Sequence, residues 1–340
     1  METGEETVLL SGDSVVLAPG SVPRSLEGLE PDGRVVVTSD EFFDLEEYPD
    51  RVLVVGGGVI GCEFASALCD LGVEVVILEA TERILPGIDD DLVRILERSL
   101  RRRGVEIHSG VKISDVARDR SSVTVEWQEG GRCVAGLAVV AVGRRPRTET
   151  LDLAGSGVEL DERGFIRVDG RCRTTRPGTW AVGDAVASPQ LAHVAFAEGI
   201  VAVRDAMGEE PTPLDYDRVP WCIYTHPELA FVGLNERQAL ERGIRVTTVT
   251  QRYAGNGRAL IIGEPEGLVK LVARVEEDAS PVLMGVHMVG PWVTEQLSGP
   301  YLSVNWEASA ADLSALIQPH PTLGEVFGEA AIALTGRRLH

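Results

Sequence analysis

Apolar and polar positions change their spacing at Arg51, where this 340-residue chain begins its most regular stretch. The apolar run RVLVV predicts a buried strand, and the glycine-rich GGGVIG follows it. Apolar residues then recur three and four positions apart, at Ile60, Phe64, Leu68 and Leu71, which predicts a helix with one apolar face. VEVVILE (73–79) predicts the next strand. Residues 89–104 predict the next helix, because acids at its start and arginines at its end suit the helix dipole.

The rest of the chain shows weaker patterns. Residues 8–24 predict a short pair of strands ending in a loop, 39–50 a connector, and 105–143 a run of short strands. A strand is predicted within 178–186 and a helix within 190–208. After the proline-rich 209–220 the pattern is that of an antiparallel α+β region. These changes predict four segments, namely 1–50, 51–145, 146–213 and 214–340.

Composition narrows the class of protein. The chain is 44% hydrophobic and carries a net charge of −21, which disfavours nucleic acid and anionic membranes as partners. It contains no spanning apolar segment and no signal-like start, so a cytoplasmic location is expected. Its five cysteines include no C-x-x-C pair, and Cys62 and Cys69 are expected to be small buried side chains.

A dinucleotide site is predicted where the strand meets the helix. Gly56, Gly58 and Gly61 form G-x-G-x-x-G between the two elements, and Glu79 ends the next strand. The glycines permit a tight turn, approach of a pyrophosphate, and close packing of helix on strand. The carboxylate of Glu79 would accept ribose hydroxyls and repel a 2′-phosphate, which favours NAD over NADP. A glycine-rich turn without a ligand is the alternative.

Two further motifs each allow a structural and a functional interpretation. Asp184 follows a predicted strand in AVGDAV, where an Asp is either a turn former or a ligand to a hydroxyl. In PHPTLGE, Thr322 and Glu325 have the spacing of a capping box at the start of a helix. The same Glu325 has acceptor sites enough to orient His320 as a general base, so the two interpretations are compatible.

The ordered motifs resemble the pyridine-nucleotide disulfide oxidoreductases, and within them the dihydrolipoamide dehydrogenase branch. The segments that carry the resemblance are VLVVGGGVIGCEFA, VVILEATERILPGIDDD, AVGRRPRTETL, TWAVGDAVASPQLAHVAFAEG, VPWCIYTHPELAFVGLNERQA, GLVKLV, VLMGVHMVGP, PHPTLGE and ALTGRRLH. The resemblance implies an α/β fold in which a Rossmann-type NAD domain (51–145) is inserted in a partial FAD-binding domain (1–50 and 146–213). An α+β dimerisation domain (214–340) follows.

The resemblance also implies a role for each candidate residue. His320 and Glu325 would be the catalytic acid–base pair, with His320 acting on a thiol in the other subunit of a homodimer. NAD contacts would come from Gly56, Gly57, Gly58, Val59, Ile60, Gly61, Glu63, Glu79 and Gly143. FAD contacts would come from Gly20, Asp184, Leu191, Ala192 and His193. Pro19 stands where the family has a threonine, which removes a hydroxyl and an N–H near the flavin.

The family's redox disulfide has no counterpart in this sequence. No two cysteines are five positions apart, and there is one glycine fingerprint where the family has two. We therefore expect a dihydrolipoyl dehydrogenase-like chain that lacks the start of its FAD domain and has little activity alone. Its expected partner is a lipoyl-bearing acyltransferase of a 2-oxo acid dehydrogenase complex. The alternatives are a non-catalytic NAD-binding dimer, half of a split enzyme, or a reductase for another disulfide, quinone or metal ion.

Overall fold

The computed structural model describes residues 2–3, 6–7, 11–275, 277 and 279–337. Residues 338–340 of the closing ALTGRRLH, and 8–10 of the first predicted strand pair, lie outside these ranges. The α-helices, in chain order, are α1 (Val59–Asp70), α2 (Asp90–Arg102), α3 (Ala192–Ala206), α4 (Glu236–Glu241), α5 (Gly257–Ile261), α6 (Val293–Gln296), α7 (Ser298–Asn305), α8 (Ala310–Ser314) and α9 (Glu325–Leu334).

The strands alternate with these helices in the first half and group together in the second. In chain order they are β1 (Glu2–Thr3), β2 (Glu6–Thr7), β3 (Val15–Leu17), β4 (Ser21–Pro23), β5 (Val36–Thr38), β6 (Arg51–Val55), β7 (Glu74–Glu79), β8 (Glu106–Ser109), β9 (Ile113–Arg118), β10 (Val123–Trp127), β11 (Gly131–Ala135), β12 (Leu137–Val140), β13 (Arg144–Pro146), β14 (Thr179–Ala181), β15 (Trp221–Ile223), β16 (Glu228–Gly233), β17 (Val246–Arg252), β18 (Leu268–Arg274) and β19 (Val282–Gly290).

Backbone contacts divide the chain into two units. The first consists of residues 1–24 and 144–216, and the second of residues 25–143 and 217–340. Each unit is therefore discontinuous in sequence. No helix in the part of the chain that the structure describes is long and apolar enough to cross a membrane.

The second unit is built on a five-stranded parallel sheet and a five-stranded antiparallel sheet. The parallel sheet has the strand order β5-β12-β6-β7-β8, and its central strands are apolar on both faces, as in other covered parallel sheets. The antiparallel sheet has the order β15-β16-β19-β18-β17, and a three-stranded antiparallel sheet, β11-β10-β9, completes the unit. One core cluster joins α1 and α2 to side chains of the antiparallel sheet such as Leu229 and Leu268.

The described residues of the first unit form three two-stranded sheets. The strand pair predicted within 8–24 lies in part outside the described residues, and the two described strands of that stretch, β3 and β4, do not pair with each other. Instead β3 pairs in parallel with β14, and β4 pairs antiparallel with β13. Both partners come more than 120 residues later, which local sequence patterns do not encode.

Asp205, near the end of α3, joins two parts of the first unit. Its side chain is fully buried and accepts two 2.6 Å hydrogen bonds from the Arg173 guanidinium. It also accepts a 2.9 Å hydrogen bond from the indole N–H of Trp180. The hydrogen bonds from Arg173 hold the pKa of Asp205 below its usual range.

We expect Asp205→Ala to lower the free energy of unfolding by about 3 kcal/mol at pH 7, because it leaves the indole N–H unpaired and removes a charge-assisted bond. A lowered folded pKa stabilises the fold above the pKa of an unfolded Asp, about 3.9. The difference between wild type and variant should therefore shrink as the pH falls below that value. Urea denaturation at several pH values measures it.

The matched control is Glu209→Ala, which breaks an exposed ion pair with Arg204 just after the same helix. Exposed pairs contribute little, so we expect a change within about 0.5 kcal/mol. Equal losses in the two variants, or no pH dependence for Asp205→Ala, would contradict the role assigned to Asp205.

Candidate dinucleotide and acid–base sites

Of the three glycines of the G-x-G-x-x-G motif between β6 and α1, two are closely packed and the third is open. A Cβ on Gly61 would lie 1.9 Å from the carbonyl oxygen of Gly56, and a Cβ on Gly56 would lie 2.4 Å from that of Ala141. Gly56 also has a φ of 105°, which favours glycine. A Cβ on Gly58 would meet nothing within 4 Å. The turn therefore brings helix and strand together and leaves open space at the helix N-terminus.

That open space suits a pyrophosphate. Gly58 is the N-cap residue of α1 and offers no side-chain cap. The first N–H groups of a helix have no intrahelical acceptor, so those of Val59 and Ile60 suit an anion at this end. The residues present therefore fit the phosphates of NAD.

Glu79 at the end of β7 is bound to the same turn. It is 7% exposed. Its Oε2 accepts a 2.6 Å hydrogen bond from the Gly57 N–H, and its Oε1 accepts bonds of 2.7 Å from the N–H and the hydroxyl of Thr81. A carboxylate has about four acceptor sites. The three internal bonds fix the orientation of Glu79 and leave capacity for a ribose hydroxyl.

The other residues assigned to NAD lie on neighbouring elements of the same unit. Glu63 is in the first turns of α1, and its Oε1 accepts a 2.8 Å hydrogen bond from the Tyr224 N–H. Burial raises the pKa of Glu63. Gly143 follows β12 with a φ of 102°. The structure therefore places both residues beside strands of the unit that holds the glycine turn.

The residues assigned to FAD lie in the first unit. Asp184 is in a single 3₁₀ turn after β14, and its Oδ2 accepts a 2.6 Å hydrogen bond from the Ser21 hydroxyl. Arg144 donates to that hydroxyl at 2.7 Å. Gly20, beside Ser21, has a φ of 75° and open space around it.

Leu191 is the N-cap residue of α3, and Ala192 and His193 form its first turn with exposed side chains. Asp184 retains acceptor capacity for a ribityl hydroxyl. The fit to FAD is partial, however, because the 340 residues contain a single G-x-G-x-x-G, which lies in the second unit.

The C-terminal histidine and glutamate are in contact. His320 Nδ1 lies 2.8 Å from Glu325 Oε1, while Glu325 Oε2 accepts a 2.7 Å hydrogen bond from the Thr322 N–H. The expected simultaneous use of both carboxylate oxygens is confirmed. The predicted capping box is half formed: Glu325 accepts from the Thr322 N–H as predicted, but α9 begins at Glu325 with Gly324 as its N-cap residue and has no side-chain cap. The Thr322 hydroxyl donates to the Pro319 carbonyl instead.

The charge of Glu325 determines which residue donates the hydrogen bond in this contact. Burial opposes ionisation of Glu325, but the hydrogen bonds from Thr322 and His320 outweigh it and lower the pKa of Glu325. An ionised carboxylate only accepts hydrogen bonds, so Nδ1 of His320 carries a proton, and in the neutral form of the ring the lone pair is on Nε2. The His320 side chain is 77% exposed. This arrangement presents an oriented base on the surface of the isolated chain.

The cysteines within the described residues are all free. Cys62 is fully buried, and burial raises its pKa. Burial also raises the pKa of Cys172 to about 12. Neither thiol is suited to redox chemistry, since the thiolate is the reactive form.

A family model matches each part of the chain. The model described as pyridine nucleotide-disulphide oxidoreductase matches residues 2–199, and that family's dimerisation domain matches residues 219–331. The chain belongs to the pyridine nucleotide-disulphide oxidoreductase family. The expected α/β fold class, with a dimerisation domain after the nucleotide-binding part, is thereby confirmed.

Curated relatives support this family at the level of whole sequences. A dihydrolipoyl dehydrogenase of Bacillus subtilis (strain 168) is 39% identical over 342 residues, covering 99% of this chain and 71% of that relative. One from Thermus scotoductus is 40% identical over 333 residues, covering 96% of this chain and 71% of that relative. These pyridine nucleotide-disulphide oxidoreductases are flavoprotein enzymes, as the sequence predicts for this chain.

Solved structures agree on the fold. LpdA from Mycobacterium tuberculosis superposes with a TM-score of 0.88 at 30% identity, over 95% of this chain and 70% of that one. The HOCl-induced flavoprotein disulfide reductase RclA from Escherichia coli, as its Cu(II) complex, gives 0.85 at 27% identity, over 95% and 73%. The comparisons therefore establish the family and leave the substrate to be proposed.

Sequence reasoning missed two contacts that bear on these sites. One is the Ser21–Asp184 hydrogen bond, which joins positions 163 residues apart. The other is the ion cluster around Lys270, described below, which includes Asp89 from the end of the segment after β7. The only signal in the sequence was a lysine in the otherwise apolar strand GLVKLVARV.

Proposed function

We propose that the chain is the NAD-binding and dimerising part of a dihydrolipoyl dehydrogenase. In this proposal His320 and Glu325 are the acid–base pair for a lipoyl thiol. The observation that carries it is the 2.8 Å contact between His320 Nδ1 and Glu325 Oε1, on an imidazole that is 77% exposed. If Glu325 served only the start of α9, its hydrogen bond from the Thr322 N–H would suffice, and the contact with His320 would not be needed.

The reaction in question converts a dihydrolipoyl group and NAD⁺ into a lipoyl disulfide, NADH and a proton. The two thiols lose two electrons and two protons, and only a thiolate attacks a disulfide. His320 accepts the thiol proton at Nε2, and the ionised Glu325 stabilises the resulting imidazolium. A bound FAD would carry the two electrons between the thiol pair and the nicotinamide.

A homodimer provides the place for this base. The C-terminal region that contains His320 carries large exposed apolar side chains, among them Trp306 at 76% and Ile317 at 96%. These side chains lie in the region that matches the family's dimerisation domain, which supports a partner subunit at this surface. In the proposed dimer, His320 therefore acts on the thiol bound by the other subunit.

The proposal assigns the redox disulfide to residues other than these 340, which contain no pair of cysteines five positions apart. Two sources are compatible with it. One is additional sequence that belongs to the same chain, and the other is a separate polypeptide that completes a split enzyme. In either case the lipoyl-bearing partner is the acyltransferase of a 2-oxo acid dehydrogenase complex.

Titration of the 340-residue protein with NADH and NADPH tests the cofactor assignment. We expect NADH to bind at least tenfold more tightly, because Glu79 repels a 2′-phosphate by several kcal/mol at short range. We also expect no reduction of NAD⁺ by dihydrolipoamide when only FAD is added. Glu79→Gln should narrow the preference for NADH, while the exposed Glu82→Gln should leave it unchanged.

Two outcomes would refute the proposal. NADPH binding as tight as NADH binding would contradict the role of Glu79. Turnover of dihydrolipoamide by the 340 residues and FAD alone would show that no outside disulfide is needed.

A second candidate is a non-catalytic, dimeric NAD-binding protein. The observation that favours it is the well-formed glycine turn and Glu79 site in a sequence with no C-x4-C pair. Addition of a polypeptide that carries the disulfide and the first glycine fingerprint separates the two candidates. Turnover on mixing favours the dehydrogenase, and NADH binding without turnover favours the binding protein.

A further inference from the structure

Three carboxylates surround the ammonium group of Lys270 in β18. Its Nζ donates to Asp91 Oδ2 at 2.8 Å and to Asp89 Oδ2 at 3.0 Å, and lies 3.5 Å from Glu236 Oε2. Lys270 is 7% exposed and Asp89 is 6% exposed. On the neighbouring strand β19, the buried His287 is paired with Lys270 in the register of the sheet. The cluster therefore connects the antiparallel sheet to the residues that precede and begin α2.

Residues 80–91 join this cluster to the dinucleotide turn. The segment begins beside Glu79, whose carboxylate binds the Gly57 N–H. Its middle touches the turn directly, because the Leu85 N–H donates a 2.8 Å hydrogen bond to the Gly57 carbonyl. A Cβ on Gly57 would lie 2.7 Å from Ile84 Cγ2, so the Ile84 side chain packs against the turn. The segment ends at Asp89 and Asp91.

The middle of this segment has a conformation that needs support. Leu85 has a φ of 50°, in the left-handed region that bulky residues rarely adopt, and it is 1% exposed. A residue held in such a region raises the energy of the folded state and keeps that geometry only when its surroundings impose it. Leu85 is fixed on one side by the Gly57 carbonyl and lies four residues before the Asp89 anchor.

We propose that Lys270 is a positioning residue for the dinucleotide site, which acts by holding residues 80–91 against the glycine turn. The inference rests on the proposed binding of NAD. It assigns to the C-terminal part of the chain a role in binding the dinucleotide, in addition to dimerisation. Lys270 touches no cofactor atom in this proposal and works through Asp89, Leu85 and Gly57.

The choice of lysine supports this assignment. The chain has two lysines, Lys112 and Lys270, among its 32 basic residues, and the other 30 are arginines. An ammonium is a compact point charge with three donors, whereas a guanidinium is a larger planar fork. The three carboxylates, all within 3.5 Å of Nζ, leave room for the compact ammonium group. In a chain that uses arginine almost everywhere else, this position keeps the smaller cation.

The test compares NADH affinity and amide hydrogen exchange in three variants. Lys270→Met, which keeps the length and removes the charge, should weaken NADH binding about tenfold, because the turn is no longer held in place. The Leu85 amide should exchange at least tenfold faster. Asp91→Asn is a milder change at a partly exposed position and should weaken NADH binding about threefold. It keeps the proposal testable if Lys270→Met does not fold.

Val304→Ala is the matched control, since it creates a cavity in the core of the antiparallel sheet without touching the cluster. It should lower the melting temperature and leave both NADH affinity and Leu85 exchange unchanged. The proposal is overturned if Lys270→Met changes neither quantity, or if Val304→Ala changes them equally. Should the wild type fail to bind NADH, the proposed function fails, and Leu85 exchange still decides the role of Lys270.

Discussion

Replacing His320 with glutamine should lower kcat/KM for dihydrolipoamide by about 10²- to 10⁴-fold in a form of the enzyme that includes the redox disulfide. The loss follows from the role of Nε2 as the acceptor of the thiol proton. Reduction of an artificial electron acceptor by NADH should be unaffected, because that reaction bypasses the thiol. Steady-state kinetics with both substrate pairs measure the two effects. A parallel loss in both assays would contradict a base that acts on the thiol.

The chain provides a matched control in His226. This residue also precedes a proline, and its nearest carboxylate, Glu264, lies at 3.7 Å rather than in hydrogen-bond contact. His226→Gln should leave both reactions unchanged. Glu325→Gln should cause a smaller loss than His320→Gln, since it keeps the orientation of the ring and removes only the charge that stabilises the imidazolium. A larger loss from Glu325→Gln would indicate a structural role for the carboxylate.

Gly61→Ala should abolish NADH binding and lower the free energy of unfolding by about 3 kcal/mol. The added methyl group would lie 1.9 Å from the Gly56 carbonyl oxygen, so either α1 or the turn has to move. Either movement disrupts the helix N-terminus that is proposed to bind the pyrophosphate. Urea denaturation and fluorescence titration with NADH measure the two quantities.

Gly58→Ala separates binding from folding at the same turn. The methyl group would enter open space, and the φ of Gly58, −73°, suits alanine. We expect stability to change by less than about 0.5 kcal/mol while NADH affinity falls at least tenfold, because the methyl group occupies the approach of the pyrophosphate. Unchanged affinity would mean that the phosphates bind elsewhere.

Local features of the fold were predictable because their causes are local. The helix predicted at 89–104 is observed as Asp90–Arg102, and the one predicted at 190–208 as Ala192–Ala206. Their ends follow from apolar spacing, terminal charges and flanking glycines, all of which are visible in sequence. The position of Glu79 at the end of β7 was predictable as well, since the fingerprint specifies an acidic residue there, whereas its hydrogen bond from the Gly57 N–H was not predicted.

Contacts between distant segments were not predictable. The pairing of β3 with β14 depends on where the chain returns after more than 150 residues. The capping box formed only in part for a different reason: Glu325 accepts from the Thr322 N–H, but the Thr322 hydroxyl donates to the Pro319 carbonyl instead of to the helix. The Lys270 cluster joins positions 179 and 181 residues apart, and a single lysine in an apolar strand gives no indication of which acids surround it.

The scarcity of lysine makes the chain suitable for amine-directed labelling. Apart from the terminal amine, reductive methylation with ¹³C-formaldehyde can reach two side chains, and they differ sharply in environment. Lys112 is exposed, whereas Lys270 is enclosed by carboxylates. Resistance of the Lys270 amine to methylation would therefore report directly, in one resolved NMR signal, how often the segment beside the glycine turn opens.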